Sequence, residues 1–69
     1  MFTVEIIRSA VVKGVRYAAV RRNGEIICDA IILEDGRTVT DIEFAYDKYR
    51  LCNRTRQAAM RALQKAGYR

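Results

Sequence analysis

From residue 40 to residue 66, apolar side chains recur every three or four positions, the spacing that gathers them on one face of an α-helix. This face comprises Ile42, Phe44, Ala45, Tyr49, Leu51, Cys52, Ala59, Met60, Ala62, Leu63 and Ala66. Two cations, Lys48 and Arg56, also fall on it. The pattern predicts one continuous amphipathic helix that extends past its packing partner near Arg56. A break near Cys52–Arg54, which gives two helices, is the alternative.

Both ends of this segment carry signals that are typical of helix termini. Thr40 and Glu43 have the spacing of a capping box, in which each side chain accepts a hydrogen bond from the other residue's amide. Val39 and Phe44 have the spacing of a hydrophobic staple. Gly67 follows the segment as a C-cap. These signals predict the helix bounds given above.

The first 39 residues have the composition of strands and turns. Apolar and β-branched residues concentrate in three segments, Phe2–Val12, Val15–Arg22 and Glu25–Leu33. Asn23–Gly24, between the last two, is a strong hairpin signal because both positions of a type I′ turn need positive φ. A short extended piece, Arg37–Val39, leads into the helix.

The Asn23–Gly24 turn also predicts the register of the hairpin. A two-residue loop places Arg22 opposite Glu25 and Val20 opposite Ile27. In that register the face that receives the helix consists of Val4, Ile6, Ala10, Val15, Tyr17, Ala19, Ile26, Cys28, Ala30 and Ile32.

The predicted fold class is α+β: a three-stranded antiparallel β-meander packed on one face by a long C-terminal helix, in the order βββα. The 69 residues are expected to form a single domain. The meander occupies residues 1–39, the helix residues 40–66 and a short tail residues 67–69.

The opposite face of the predicted sheet mixes apolar with charged side chains. Its apolar members are Ile7, Val11, Val20, Ile27 and Ile31. An apolar patch with a charged border is typical of an interface, so a homodimer contact is expected here. The alternative is a set of scattered β-branched residues that favour strand structure without a partner.

The sequence gives no sign of a membrane or secreted protein. No apolar run is long enough to span a bilayer, and the N-terminus lacks the layout of a signal peptide, so a cytoplasmic protein is expected. Cys28 and Cys52 do not make a disulfide framework. Both are predicted to face the core as reduced thiols.

Charge is distributed unevenly along the chain. Residues 1–47 have a formal net charge of −2, whereas residues 48–69 contain seven lysines and arginines and no acid, which gives them +7. The chain as a whole carries +5. This asymmetry indicates an anionic partner, which is either a nucleic acid or an acidic protein surface.

The residues of the common catalytic sites are missing. There is no histidine, the single serine lies outside a nucleophile-elbow motif, and no phosphate-binding glycine loop is present. Glu34 and Asp35 are adjacent carboxylates on a predicted turn, where acids are usually solvated. We therefore expect neither an enzyme nor a bound metal or cofactor.

The candidate binding residues lie on the polar face of the predicted helix and in the tail. They are Arg50, Arg54, Gln57, Arg61, Gln64, Lys65 and Arg69. Arginine pairs well with phosphate because its planar guanidinium donates two parallel hydrogen bonds, and glutamine donates to phosphate or to base edges. The leading hypothesis is therefore a small, non-enzymatic nucleic-acid-binding module.

Two alternatives remain at the level of the sequence. One is a small inhibitor or adaptor, of the kind that a virus or mobile element encodes, that binds a host nucleic-acid-handling protein complex. Its small size, the missing catalytic residues and the apolar second sheet face favour this hypothesis. The other is a homodimer whose basic helix face is simply solvated.

Overall fold

Four strands follow one another along the chain and lie side by side in the same order. The computed structural model describes all residues, 1–69. The strands are β1 (Phe2–Arg8), β2 (Arg16–Arg22), β3 (Glu25–Ile32) and β4 (Val39–Phe44), and each neighbouring pair is antiparallel. Two helices follow, α1 (Asp47–Leu51) and α2 (Asn53–Lys65). The predicted α+β class is confirmed, but the sheet has four strands instead of three.

The hairpin between β2 and β3 turns at the predicted dipeptide. Asn23 has φ of 52° and Gly24 has φ of 88°, the left-handed conformation that a type I′ turn requires. Arg22 pairs with Glu25 directly beyond the turn, as the sequence predicts.

One residue further along, a β-bulge changes the register of this hairpin. Arg21 pairs with Ile26, but Val20 pairs with Cys28, so Ile27 is an extra residue on β3. The insertion reverses the predicted orientation of β2, because the side-chain period of a strand is two. Val20 consequently packs in the core below α2, where Tyr17 and Ala19 had been expected.

Residues 40–44, predicted to begin the helix, instead form most of β4. Phe44 pairs with Cys28, and Glu43 pairs with Asp29. The capping box of Thr40 and Glu43 therefore does not form. Asp41 has φ of 52° where the β3–β4 register shifts, which brings Ile42 and Phe44 against the core.

The C-terminal helix is interrupted at Cys52, so the predicted continuous helix is wrong and the alternative with a break is confirmed. The backbone of Cys52 is extended, with φ of −81° and ψ of 107°. The predicted C-cap at Gly67 forms. Tyr68 donates to the carbonyl of Leu63 and Gly67 to that of Gln64, at 3.0 Å each, which is a Schellman motif.

The core lies between one face of the sheet and α2. Its buried members are Ala18, Val20, Cys28, Ile32, Ala59 and Leu63. Only ten of the 69 residues are buried, so this core is small, and half-buried side chains from β1, β4, α2 and the C-terminus complete it. Neither helix is long and apolar enough to cross a membrane.

The five residues of the predicted dimer face do not form one exposed patch. Val20 and Ile27 are fully buried because of the bulge, so they offer nothing to a partner. Val11 is 92% exposed in the loop that follows β1. The strand ends at Arg8 because the chain turns at Ser9, whose hydroxyl accepts from the amides of Val11 and Val12. Of the five residues, Ile7 and Ile31 are half-buried on strands, and dimerisation itself stays a prediction.

Candidate binding surface of the C-terminal helices

The outward side of α2 carries a continuous row of polar and basic side chains. We call this set the basic ridge, and its members, all exposed, are Arg54, Gln57, Arg61, Gln64 and Lys65. At 100° per residue they occupy about a third of the helix circumference. The opposite side of α2, at Ala59 and Leu63, is buried against the sheet. Burial of that side fixes the ridge as an outward-facing, convex surface.

The cations of the ridge have no acidic partners. The chain contains two salt bridges, Arg21–Glu5 at 3.3 Å and Arg50–Asp47 at 3.6 Å, and neither involves a ridge residue. The positive charges of Arg54, Arg61 and Lys65 therefore remain available to an anionic ligand.

The other two predicted site residues lie apart from this ridge. Arg50 is on α1, where it pairs with Asp47. Arg69 follows α2, and its backbone bonds to the start of β4 and the segment just before it: its N–H donates to the Arg37 carbonyl and its carbonyl accepts from Val39, both at 2.9 Å. The break at Cys52 thus divides a surface that the sequence predicts as one.

Arg56, the cation that did not fit a continuous helix, contacts the helix break. It donates through Nη1 to the Arg50 carbonyl at 3.1 Å and through Nη2 to the Asn53 side-chain oxygen at 2.7 Å. The first bond satisfies a carbonyl at the C-terminal end of α1 that lacks an intrahelical partner, and the second stays within the first turn of α2. Arg56 therefore links α1 to α2 across the interruption.

A groove lies between β4 and α2. We call it the β4 groove; it has a volume of about 480 Å³ and is lined by Ile42, Phe44, Arg56, Gln57, Met60, Arg61 and Gln64. Its lining combines apolar side chains with two arginines and contains no acid. The sequence-based interpretation missed this groove, because it placed Ile42 and Phe44 in the helix. The signal for a strand was their spacing of two residues.

Aromatic and cationic side chains cluster where α1 meets the β2–β3 hairpin. The Tyr46 and Tyr49 rings are edge to face with centroids 5.4 Å apart, and the Lys48 ammonium lies 5.3 Å from the Tyr49 centroid. The Tyr49 hydroxyl donates to Glu25, and this hydrogen bond is the main reason why the pKa of Tyr49 is raised. Tyr49 therefore anchors α1, whereas Tyr46 remains 57% exposed.

The two cysteines lie in opposite environments. Cys28 is buried in the core as predicted, and burial, followed by the nearby Asp29 charge, raises the pKa of its thiol to about 11. Cys52 is exposed, contrary to the prediction, because the helix ends there. A hydrogen bond from the Thr55 hydroxyl to the sulfur, at 3.4 Å, is the first cause of a lowered pKa for Cys52.

The basic ridge and the β4 groove present cations to solvent without an acid beside them. No group of three or more histidine, cysteine and acidic side chains lies close enough to hold a metal ion. The chain has no match among protein-family models, curated proteins or solved structures. The basic ridge and the β4 groove are therefore the features on which a functional proposal depends.

Proposed function

We propose that this protein binds nucleic acid, preferably duplex DNA, through the basic ridge. The observation that carries the proposal is the set of three unpaired cations, Arg54, Arg61 and Lys65, on one exposed helix face. Phosphate contacts from such residues supply most of the affinity of non-specific DNA-binding proteins.

The shape of the ridge supports a duplex ligand. The ridge is the convex outer side of a helix, and it extends for about 16 Å from Arg54 to Lys65 at 1.5 Å per residue. The major groove of B-DNA, about 12 Å wide, accepts an α-helix, whereas that of A-form RNA is too narrow. Gln57 and Gln64 lie between the cations, where they reach phosphates or base edges.

Fluorescence anisotropy with labelled duplex DNA, single-stranded DNA and duplex RNA tests this proposal. We expect micromolar affinity for duplex DNA at low salt. Three phosphate contacts give a slope of about −2.7 in log K against log salt, so affinity falls about 40-fold between 50 and 200 mM salt.

A matched pair of double variants tests the location of the site. Arg54→Glu with Arg61→Glu should abolish binding. Arg8→Glu with Lys13→Glu makes the same change in net charge at exposed positions outside the C-terminal third, and should retain most of the affinity. Equal affinity of the two double variants, or binding that is independent of salt, contradicts the proposal.

A further inference from the structure

The outer edge of β4 offers unpaired backbone groups next to the β4 groove. β4 is the last strand of the sheet, so only β3 pairs with it. Leu33 donates to Thr38 at 2.8 Å on one side of the bulge, and Ala45 donates to Ile27 at 2.9 Å on the other. Because hydrogen bonding alternates along an antiparallel strand, the N–H and C=O groups of Ile42 and Phe44 point away from β3.

The beginning of this edge already exchanges backbone hydrogen bonds with another segment, the C-terminal residue Arg69. Val39 donates to the carbonyl of Arg69, and Arg69 donates to the carbonyl of Arg37, each at 2.9 Å. The edge is therefore accessible to an extended segment at residues 37–39. The part that remains open, at Ile42 and Phe44, is the part that lines the groove.

The side chains beside this open edge determine which ligand it fits. Ile42 and Phe44 direct their side chains to the core side of the sheet, where they form the apolar floor of the β4 groove. Met60, which is 39% exposed, adds an apolar contact from α2. Arg56 and Arg61 are the charged groups of the lining, so the groove favours an acidic ligand.

We propose that the β4 groove binds an extended acidic peptide segment of a partner protein, which adds to the sheet as a fifth strand at Ile42–Phe44. In this mode backbone hydrogen bonds provide affinity, and alternate side chains provide specificity. The groove spans about 12 Å along α2, which accommodates about four extended residues. Two groove-facing positions of the peptide, two residues apart, carry an apolar side chain for Met60 and a carboxylate for Arg61.

A second copy of this chain is a poorer occupant of the same edge. Antiparallel pairing of two β4 strands brings the two α2 helices to the same side of a continuous sheet. Arg56 and Arg61 of each copy then face those of the other without an acid in either groove. This repulsion opposes a symmetric dimer, whereas an acidic peptide neutralises the same charges.

The peptide proposal does not rest on nucleic-acid binding, but the two surfaces overlap, because Arg61, Gln57 and Gln64 belong to both. Met60 lies in the groove but not in the ridge, and Lys65 lies in the ridge but not in the groove. Variants at Met60 and Lys65 therefore distinguish failure of one proposal from failure of the other.

The first experiment titrates the protein with a fluorescein-labelled hexapeptide in which glutamate follows isoleucine by two positions and threonines fill the rest. Matched peptides replace the glutamate with lysine, or carry N-methyl groups on the two amides that pair with β4. We expect each change to weaken binding at least about tenfold, since it removes charge-assisted or backbone hydrogen bonds. Amide signals of Ile42 and Phe44 should shift in NMR spectra on addition of the parent peptide.

Protein variants then test the groove itself. Met60→Glu should weaken peptide binding at least about tenfold, because it replaces an apolar contact with a like charge. Leu51→Glu, which makes the same charge change at a 69% exposed position outside the groove, should leave it unchanged. Lys65→Glu should weaken DNA binding while peptide affinity stays within about threefold.

Three results overturn the peptide proposal. They are no binding of the parent peptide at millimolar concentration, equal binding of the N-methylated peptide, and shifts confined to β1, the other edge strand. A fourth result would also contradict it: the protein binds single-stranded DNA but not the peptide, and Met60→Glu abolishes the DNA binding. The peptide comparisons use the unaltered protein, so they decide the matter even if a variant fails to fold.

Discussion

At the scale of single residues, the two thiols differ in both access and acidity. Cys28 is 1% exposed with a raised pKa, and Cys52 is exposed with a lowered pKa. Alkylation requires the thiolate and a path to it, so both differences act in the same direction. Cys52 is consequently the reactive thiol of the folded protein.

Iodoacetamide at pH 8 should therefore modify Cys52 at least about 100-fold faster than Cys28 in the native state. Mass spectrometry of proteolytic fragments measures the two rates separately. Thr55→Val should slow the reaction of Cys52, because it removes the hydroxyl that donates to the sulfur. Denaturation should bring the two rates close together, and similar rates in the native protein would contradict the structure.

The location of Cys52 shows why single side chains are harder to place from sequence than elements. Helical spacing puts residue 52 on the apolar face of a continuous helix. The extended backbone at Cys52 separates α1 from α2, and a hydrogen bond from Arg56 to the Arg50 carbonyl joins the two helices. Arg56 was the sign of the break in the sequence, since a continuous helix would place this cation on the apolar face.

At the scale of elements, the segment that forms β4 carries signals for two structures. A capping box contributes about 1 kcal/mol to a helix. As a strand, the same segment pairs with β3 and packs Ile42 and Phe44 against the core, which uses both backbone and side chains. Together these contacts stabilise the strand by more than one cap stabilises a helix. They depend on residues distant in sequence, so the local pattern did not predict the strand.

At the bulge residue Asp41, the expected effect of a substitution on stability is the opposite of what strand propensity predicts. Valine is a better strand former than aspartate, yet Asp41→Val should destabilise the protein by about 1–2 kcal/mol, because a β-branched residue is strained at φ of 52°. For a domain of this size that corresponds to a Tm lower by about 7–14 °C. Circular dichroism during heating measures the change.

The neighbouring residue supplies the control. Thr40→Val introduces the same side chain at an exposed β4 position without positive φ, so we expect little change or a slight stabilisation. If Asp41→Val were as stable as Thr40→Val, the left-handed backbone at Asp41 would be refuted.

At the scale of the whole molecule, local patterns predict more than long-range ones. The basic ridge follows from helical periodicity and charge within α2, so all five of its residues keep their predicted face despite the break. The α+β class follows from the order of the elements. The bulge at Ile27 and the pairing of β4 with β3 arise from packing across the molecule, so the predicted face of β2 and the strand number were wrong.

Two carboxylates make the stability of the whole fold depend on pH in opposite ways. Burial, followed by the charge of Glu43, raises the pKa of Asp29 above 3.8. Asp35 accepts hydrogen bonds from the Thr38 hydroxyl and from the amides of Arg37 and Thr38, and its pKa is lowered from 3.8 to about 2. Ionised Asp29 thus destabilises the folded state, and ionised Asp35 stabilises it.

The two effects act in different pH ranges. As pH falls from neutrality, Asp29 takes up its proton in the folded protein before it does in the unfolded chain, so the penalty of its charge shrinks and is absent below pH 3.8. Below pH 3.8 the unfolded chain protonates Asp35 first, and its stabilisation is lost as pH falls to about 2. Through these two groups, Tm should reach its maximum at about pH 4.

Two variants separate these contributions in thermal unfolding measured from pH 2 to pH 7 at constant ionic strength. Asp29→Asn should raise Tm at pH 7, with a difference from the parent protein that shrinks as pH falls and vanishes below pH 3.8, where Asp29 is protonated in both the folded and the unfolded chain. Asp35→Asn should lower Tm at pH 7, with a difference that shrinks between pH 3.8 and about 2. A lower Tm for Asp29→Asn at neutral pH would mean that the ionised carboxylate stabilises the fold. That result would contradict the raised pKa of Asp29, which comes from its burial and from the charge of Glu43.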